Sequence, residues 1–139
     1  MASEDIGLAY PNAIVITKVC VDAALQLGLP EARIPLAEAV IMLATAPKSN
    51  SAICAIDAAM SDIASSDTGE VPHHLKDSHY KGAESLGHGQ GYKYPHSYPN
   101  HYVPQQYLPD KIKNKKYYTY GDNKMESATE NYWKNIKGR

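Results

Sequence analysis

The stretch from His79 to Pro109 constrains the fold of this chain more than any other part of the sequence. It packs four glycines, four prolines, four histidines and six tyrosines into 31 residues. Proline and glycine interrupt regular structure, so no helix or strand can run through its middle. A structureless segment of this length is uncommon in a compact domain unless it is functional or packed on a scaffold. The tyrosines favour packing, since each ring covers apolar surface while its hydroxyl stays polar. We therefore expect an ordered loop wrapped on the rest of the chain.

The first 64 residues have the composition of helices joined by short loops. Fifteen of the seventeen alanines lie there, and alanine has the highest helix propensity. Proline, glycine and capping residues predict helices from Pro11 to about Leu27, from Pro35 to about Ala46, and from Ser49 or Asn50 to about Ala64. This part of the sequence predicts a three-helix unit.

Helical periodicity predicts which side of the first helix is buried. Lys18, Asp22 and Gln26 recur at every fourth residue, which is typical of a solvated stripe. The positions predicted to face inward are Ile14, Val15, Val19, Val21 and Leu25.

The second helix is apolar on nearly all sides. Between Pro35 and Ala46 its only charged residue is Glu38. Such a helix is either central or part of a subunit interface, and one small domain would struggle to cover it on every side. The residues predicted to form an oligomer interface are Leu36, Val40, Ile41 and Leu43.

The second half has few aliphatic residues, so we expect it to fold against the first half rather than to form its own core. Short helices are predicted around 72–76 and 79–86, the latter ended by Gly87. A last helix is predicted with Asp122 or Asn123 as its cap and Gly138 as its end. Its polar face contains Glu126, Glu130 and Lys134, opposite a face formed by Met125, Thr129, Tyr132, Trp133 and Ile136. The expected architecture is all-α, a single domain over residues 1–139 with a three-helix unit over 1–64 and a wrapping segment plus C-terminal helix over 65–139.

The two cysteines indicate a reducing compartment, and the hydropathy indicates neither secretion nor a membrane span. Cys20 and Cys54 both lie in apolar helical patterns, which predicts buried, reduced thiols. No signal peptide is apparent and no apolar run approaches about 18 residues. We expect a cytoplasmic protein with no membrane partner.

The chemistry-bearing residues do not predict an enzyme. All six histidines lie between His73 and His101, but their spacing matches no zinc site and no cysteine joins them. Gly87, Gly89 and Gly91 lack the context of a phosphate-binding loop, so their predicted role is to permit positive φ angles. No nucleophile stands in a recognisable motif with a base. We predict no metal, no cofactor and no catalytic residue; a metal-dependent enzyme is the disfavoured alternative.

A basic and aromatic segment indicates a second function. Residues 1–72 contain nine acids and three bases, whereas residues 73–139 contain six acids and eleven bases. Lysines interleaved with tyrosines are typical of single-strand DNA-binding surfaces. The alternative without DNA binding, in which the tyrosines form a core and the lysines are exposed to solvent, is favoured because arginine is almost absent. The lysines of the DNA-binding hypothesis are Lys81, Lys93, Lys111, Lys113, Lys115 and Lys116.

Three long runs occur in order along the chain: ASEDIGLAYPNA, RIPLAEAVIMLATAPKSN and KDSHYKGAESLGHGQGYKYPHSYPNHYVPQQYLP. Together they resemble the C-terminal part of the RarA/MgsA family of AAA+ ATPases, which are associated with replication and recombination. The likeness extends from Ala2 to about Tyr118 and is less distinct beyond it. The residues that carry it in the long loop are His79, Tyr80, Lys81, Gly82, Gly87, His88, Gly89, Gly91, Tyr92, Tyr94 and Pro95.

The resemblance implies a non-catalytic oligomerisation domain, with a helical bundle similar to the collar domain of clamp-loader subunits. It implies a homotetramer attached to an ATPase that acts at stalled replication forks. ATP and Mg²⁺ would bind to that ATPase core, whose phosphate-binding loop is absent from these 139 residues. The implied partners are further copies of the chain, DNA bound by the full-length protein, and single-strand DNA-binding protein.

Overall fold

The computed structural model describes residues 1–77, 79, 81 and 84–138. Its main elements are four α-helices: α1 (Ala13–Leu27), α2 (Arg33–Thr45), α3 (Ser51–Ser65) and α4 (Lys124–Lys137). These residues contain no strand, so the all-α prediction is confirmed. Of the described helices, none has the length and apolar character needed to cross a membrane.

The rest of the described chain contains only short helical turns. A π turn spans Ala2–Ile6, and 3₁₀ turns span Gly7–Ala9, His73–Leu75, Glu84–Leu86, Pro95–Ser97, Pro99–His101 and Asp110–Ile112. The long loop therefore has no regular element through its middle, as predicted. The helix predicted over 79–86 is wrong at its start, since His79 and Lys81 are not helical. Residues 80, 82 and 83 lie outside the described part of the chain.

The chain divides into two compact units. The first unit contains Met1–Ala58 and the described residues from Tyr117 onward, and so includes α1, α2, α4 and the first half of α3. The second unit lies within Ala59–Lys116 and includes the end of α3 and the long loop. The C-terminal helix thus groups with α1 and α2. That the loop wraps on the helices of a single domain stays a prediction.

The helix ends follow the local signals in the sequence. Gly28 ends α1 with φ +69°, and its N–H donates to the carbonyl oxygen of Ala24. Asn123 caps α4, because its side chain accepts a hydrogen bond from the backbone N–H of Glu126. Gly138 ends α4 in the left-handed conformation. The second helix begins at Arg33, two residues before the predicted Pro35.

The helices α1 and α2 pack against each other, and the side chains they bury are small. Ala13, Cys20 and Ala39 are at most 5% exposed, as is Ala32 at the start of α2. Small side chains let helix axes approach closely, because interaxial distance depends on the residues at the contact. Ile16, Met42 and Leu43 are half-buried, whereas the other large aliphatic side chains of both helices are exposed.

The predicted inward face of α1 is therefore wrong. Its five members, Ile14, Val15, Val19, Val21 and Leu25, are between 40% and 79% exposed. They share the outer side of the helix with Lys18, Asp22 and Gln26 instead of lying opposite them. Apolar periodicity marks a surface to be covered, and here the covering surface is absent from the described chain.

The two cysteines differ in environment. Cys20 is buried, as predicted, whereas Cys54 on α3 is exposed, so the prediction of a buried thiol is wrong there. Both are free thiols. The part of α3 that carries Cys54 exposes Ile56 as well, which indicates that the apolar pattern of this helix also exceeds what the chain covers.

Candidate functional site

The outer side of α2 is an apolar surface. Ile34, Val40 and Ile41 are between 62% and 64% exposed, and Leu36 is 43% exposed. Among the four predicted interface residues only Leu43 is half-buried. The structure thus brings Leu36, Val40 and Ile41 to one exposed stretch of helix. That these residues contact another subunit stays a prediction.

A buried carboxylate lies at the start of α4. Glu126 is 2% exposed, so its predicted place on the polar face of this helix is wrong. Its Oε1 atom accepts hydrogen bonds from the Tyr118 hydroxyl at 2.8 Å and from the Gly121 N–H at 3.0 Å. Its Oε2 atom accepts from Asn123 Nδ2 at 2.5 Å. Burial of a charge is tolerated here because several donors surround it.

The second part of this network lies at the start of α3. Ser49 and Ser51 are both buried, with hydroxyl oxygens 3.0 Å apart. The backbone N–H of Ser49 donates to the carbonyl oxygen of Asp5 at 2.8 Å. Ser49 and Ser51 also hydrogen-bond to Glu126. This carboxylate therefore links the start of α3 with the start of α4, and the Ser49 backbone links both to the N-terminal segment. We call Ser49, Ser51, Tyr118 and Glu126 the carboxylate network.

The electrostatics of the carboxylate network keep Glu126 ionised. Burial raises the pKa of Glu126, but hydrogen bonds from Ser49, Ser51, Gly121 and Asn123 outweigh burial and lower the pKa to about 2. Burial, together with the hydrogen bond to Glu126, raises the pKa of Tyr118 to about 12. At neutral pH the pair is a carboxylate and a neutral phenol, so Tyr118 is the donor.

Sequence reasoning missed the carboxylate network, although one signal was available. Asn123 and Glu126 have the spacing of a helix capping box, in which the third helical residue reaches back toward the cap. That pattern indicates a local role for Glu126 at the helix start. It does not indicate Ser49 or Ser51, which are more than 70 residues away in the sequence.

Next to Glu126 the first unit contains an open cleft of about 400 Å³, lined by Leu8, Pro11, Tyr118, Tyr120, Met125, Glu126, Thr129 and Trp133. The rings of Tyr118 and Tyr120 meet edge to face at 4.8 Å. The carboxylate at its wall is already saturated by donors, so the cleft presents apolar and aromatic surface and no reactive group.

In the second unit the described loop is held by side-chain bonds to the backbone. Gln105 bridges both backbone groups of Lys93, at 3.1 and 2.9 Å. His74 Nε2 lies 2.7 Å from the Gln106 carbonyl oxygen, and the Gly89 N–H donates to the His73 carbonyl oxygen at 2.9 Å. Gly87, Gly89 and Gly91 have φ angles of +69°, +75° and +79°. The predicted conformational role of these glycines is confirmed.

Four of the described tyrosines of the loop are exposed rather than packed in a core. Their side chains are between 39% and 58% exposed, so the alternative of a tyrosine core is wrong for Tyr92, Tyr94, Tyr98 and Tyr107. The ring of His88 packs on that of His73, which precedes the loop, and Tyr94 packs on His96. Pro95 is half-buried. Tyr80 and Gly82 lie outside the described residues. The described histidines, cysteines and acids form no group of three that could hold a metal ion.

Half of the lysines in the DNA-binding hypothesis are paired with acids of the second unit. Lys111 pairs with Asp67, Lys115 with Asp62 at 3.2 Å, and Lys113 approaches Asp110 at 3.9 Å. All three lysine side chains remain more than half exposed. Lys81, Lys93 and Lys116 are also exposed. The segment therefore carries less unbalanced positive charge than its lysine content suggests.

Comparison with known proteins identifies the family of this chain. A family described as the MgsA AAA+ ATPase C terminal matches residues 1–137. Over 118 residues the chain is 59% identical to the replication-associated recombination protein A of Bacillus subtilis, covering 85% of this chain and 28% of that protein. It is 49% identical over 118 residues to an AAA domain-containing protein of Mycobacterium tuberculosis, covering 85% of this chain and 26% of the relative.

The replication-associated recombination protein A of Escherichia coli K12 is 35% identical over 119 residues, which is 85% of this chain and 27% of that protein. The chain thus spans about a quarter of the length of the curated relatives it matches. Since the family match extends over nearly all residues of both units, the chain belongs to the family of C-terminal domains of the RarA/MgsA AAA+ ATPases.

Proposed function

We propose that this chain is a non-catalytic oligomerisation domain, and that it assembles an AAA+ ATPase that acts in DNA replication and recombination at stalled forks. The observation that carries the proposal is the exposed apolar surface of α2, with Val40 and Ile41 more than 60% exposed. Burying a large aliphatic side chain contributes about 1.5–3 kcal/mol. Contiguous apolar surface on a small domain is typical of protein interfaces.

The names of the relatives support the wider role. Two of them are called replication-associated recombination protein A, and the matching family is described as the C terminal of an AAA+ ATPase. In this proposal ATP and Mg²⁺ bind to the ATPase part of the longer proteins, while the domain supplies contacts between copies. A homotetramer is the proposed assembly, with DNA and single-strand DNA-binding protein as partners of the whole protein.

The solution mass of the 139-residue chain tests the oligomerisation role. We expect a tetramer by light scattering that persists from low to high salt, because apolar contacts are not screened. The variant Val40→Glu should lower the mass, since it places a charge in the contact, with association weakened about a hundredfold, or about 2.7 kcal/mol.

The matched control for that variant is Val71→Glu. Val71 is 53% exposed and lies in the second unit, so the same substitution there should leave the mass unchanged. A wild-type chain that stays monomeric at every concentration would refute the oligomerisation role.

A second candidate function, DNA contact through the loop of the second unit, is favoured by the four exposed tyrosines. Stacking of a base on an aromatic side chain contributes about 1–3 kcal/mol. We therefore expect Tyr94→Ala to weaken binding of a labelled single-stranded oligonucleotide about tenfold at low salt. The control is Tyr132→Ala, which removes a tyrosine that is 56% exposed on α4. Fluorescence anisotropy measures both, and an undetectable interaction of the wild-type chain at low salt would eliminate this candidate.

A further inference from the structure

The outer side of α1 carries a charge pattern that is complementary to itself. Lys18 and Asp22 form an ion pair at 2.5 Å, with side chains 72% and 44% exposed. Aliphatic side chains flank the pair: Ile14, Val15 and Val19 are 55–60% exposed, and Leu25 is 79% exposed. An ion pair surrounded by exposed aliphatic residues differs from an ordinary solvated stripe, because its surroundings favour exclusion of water.

The geometry of α1 places this surface away from α2. Successive residues of an α-helix are rotated by about 100°, so Lys18 and Asp22 lie roughly opposite the buried Ala13 and Cys20. The outer surface of α2, with Val40, belongs to the other helix of the pair. The first unit therefore presents two separate apolar surfaces, one on each helix.

We propose that α1 packs antiparallel against α1 of a second copy, about a two-fold axis that passes midway between Lys18 and Asp22. This inference rests on the proposed oligomerisation and identifies a second contact for it. A tetramer built from two-fold contacts needs two different self-complementary surfaces on each subunit. The outer sides of α1 and α2 provide two.

The charges explain why the occupant is a second copy. In the antiparallel arrangement Lys18 meets Asp22 of the second copy, and Asp22 meets Lys18 of the second copy. The same register brings Val15 opposite Leu25 of the second copy. A purely apolar partner would leave both charges without an intermolecular counterpart, whereas a second copy supplies one for each. Complementary charges of this kind determine orientation and register more than affinity.

Mixing of two charge variants tests this contact. Lys18→Asp leaves two acids on the surface, and Asp22→Lys leaves two bases, so each variant alone should repel itself. We expect the affinity of the α1 contact to fall about tenfold in each variant. Each variant alone should then form dimers that are held by the α2 contact. When the two are mixed, each acid meets a base across the two-fold axis. We expect tetramers that contain both variants in equal number.

Native mass spectrometry measures the composition when one variant is labelled with ¹⁵N. The ion pair within the helix cannot account for rescue by mixing, because each chain keeps its own two like charges in the mixture. The matched control is the pair Glu130 and Lys134 on α4, which has the same spacing and a distance of 3.0 Å. The variants Glu130→Lys and Lys134→Glu should assemble like the wild type, alone or mixed.

The outcomes separate this inference from the proposed function. If each α1 variant alone forms a tetramer as the wild type does, the α1 contact is overturned and the oligomerisation role stands. The same conclusion follows if the mixture forms tetramers of random composition. If the α1 surface instead binds another part of a longer protein, Lys18→Asp and Asp22→Lys should not alter the mass of the assembled chain, and this result would also overturn the α1 contact. A monomeric wild type would overturn both. Circular dichroism verifies the helix content of each variant.

Discussion

Replacing Glu126 by glutamine is expected to lower the free energy of unfolding at pH 7 by about 3 kcal/mol. The pKa of Glu126 is lowered from 4.5 to about 2, and a pKa difference of one between the folded and unfolded chain corresponds to about 1.4 kcal/mol of preference for the ionised form. Glutamine keeps the size of the side chain, but its amide group brings donors to a site that already contains Asn123 Nδ2 and the Gly121 N–H. Urea denaturation at one fixed protein concentration measures the change.

The control for that variant is Glu130→Gln, on the same helix. Glu130 is paired with Lys134 and its side chain is 39% exposed. Exposed ion pairs of this kind contribute at most about 1 kcal/mol. Equal losses from the two variants would contradict the special role of Glu126.

The pH dependence of stability gives an independent readout of the same residue. Because the folded pKa of Glu126 lies below its unfolded value, its contribution is fully present above about pH 5. The contribution is lost as pH falls toward 2, since the folded chain resists the proton that the unfolded chain accepts. We expect wild-type stability to fall by about 3 kcal/mol more than that of Glu126→Gln over this range.

Other carboxylates contribute to the acid slope, but they are common to both proteins. Hydrogen bonds lower the pKa of three other carboxylates. Lys111 is the donor to Asp67, Lys76 is the donor to Glu70, and the backbone N–H of His79 is the donor to Asp77. The difference between wild type and variant therefore isolates Glu126. Parallel curves from pH 5 to pH 2 would show that the carboxylate network is not the cause.

Gly7→Ala is expected to destabilise the first unit by about 3 kcal/mol. Gly7 has φ +45°, and a Cβ atom there would lie 2.8 Å from the carbonyl oxygen of Ser49. That oxygen belongs to a backbone that cannot withdraw easily, because the Ser49 N–H is bonded to the Asp5 carbonyl oxygen at 2.8 Å. The variant combines overpacking of about 1–3 kcal/mol with the cost of a backbone conformation, φ +45° and ψ −127°, that residues with a Cβ atom rarely adopt, about 1–3 kcal/mol.

Gly138→Ala measures the cost of a positive φ angle, in the left-handed helical region, without a steric contact. Gly138 has φ +66°, but a Cβ atom at this position would have no atom within 4 Å. It should therefore cost only the backbone penalty, about 1 kcal/mol. Urea denaturation of both variants measures the difference, and an equal cost would show that the contact between Gly7 and Ser49 can relax freely.

The helices could be predicted because their signals are local. Gly28 and Gly138 end helices through their own backbone conformations, and Asn123 caps α4 through a bond to a residue three positions away. These effects need no knowledge of the rest of the chain. The same reasoning applies to the glycines of the long loop, whose positive φ angles were expected from residue type alone.

The faces of the helices could not be predicted in the same way. Periodicity shows that α1 has an apolar surface, but it does not show which surface covers it. Ala13 and Cys20 were buried in preference to Val15 and Val19 because small residues permit close packing of α1 on α2. The periodicity assigned Ile14, Val15, Val19, Val21 and Leu25 to the core, and in the structure all five are exposed.

The family, the all-α class and the approximate limits of the four helices could be predicted from the sequence alone. The helix limits depend on residues that are close together in the chain, and the family on three long runs along it. The burial of Glu126, the exposure of Cys54 and the outward position of most large aliphatic residues of α1 and α2 depend on tertiary packing. Burial of Glu126 depends on hydrogen bonds from Ser49 and Ser51, which lie at the start of α3 and are distant in the sequence. A buried charge is stable only where folding brings such donors together, and that proximity is a property of the packed chain.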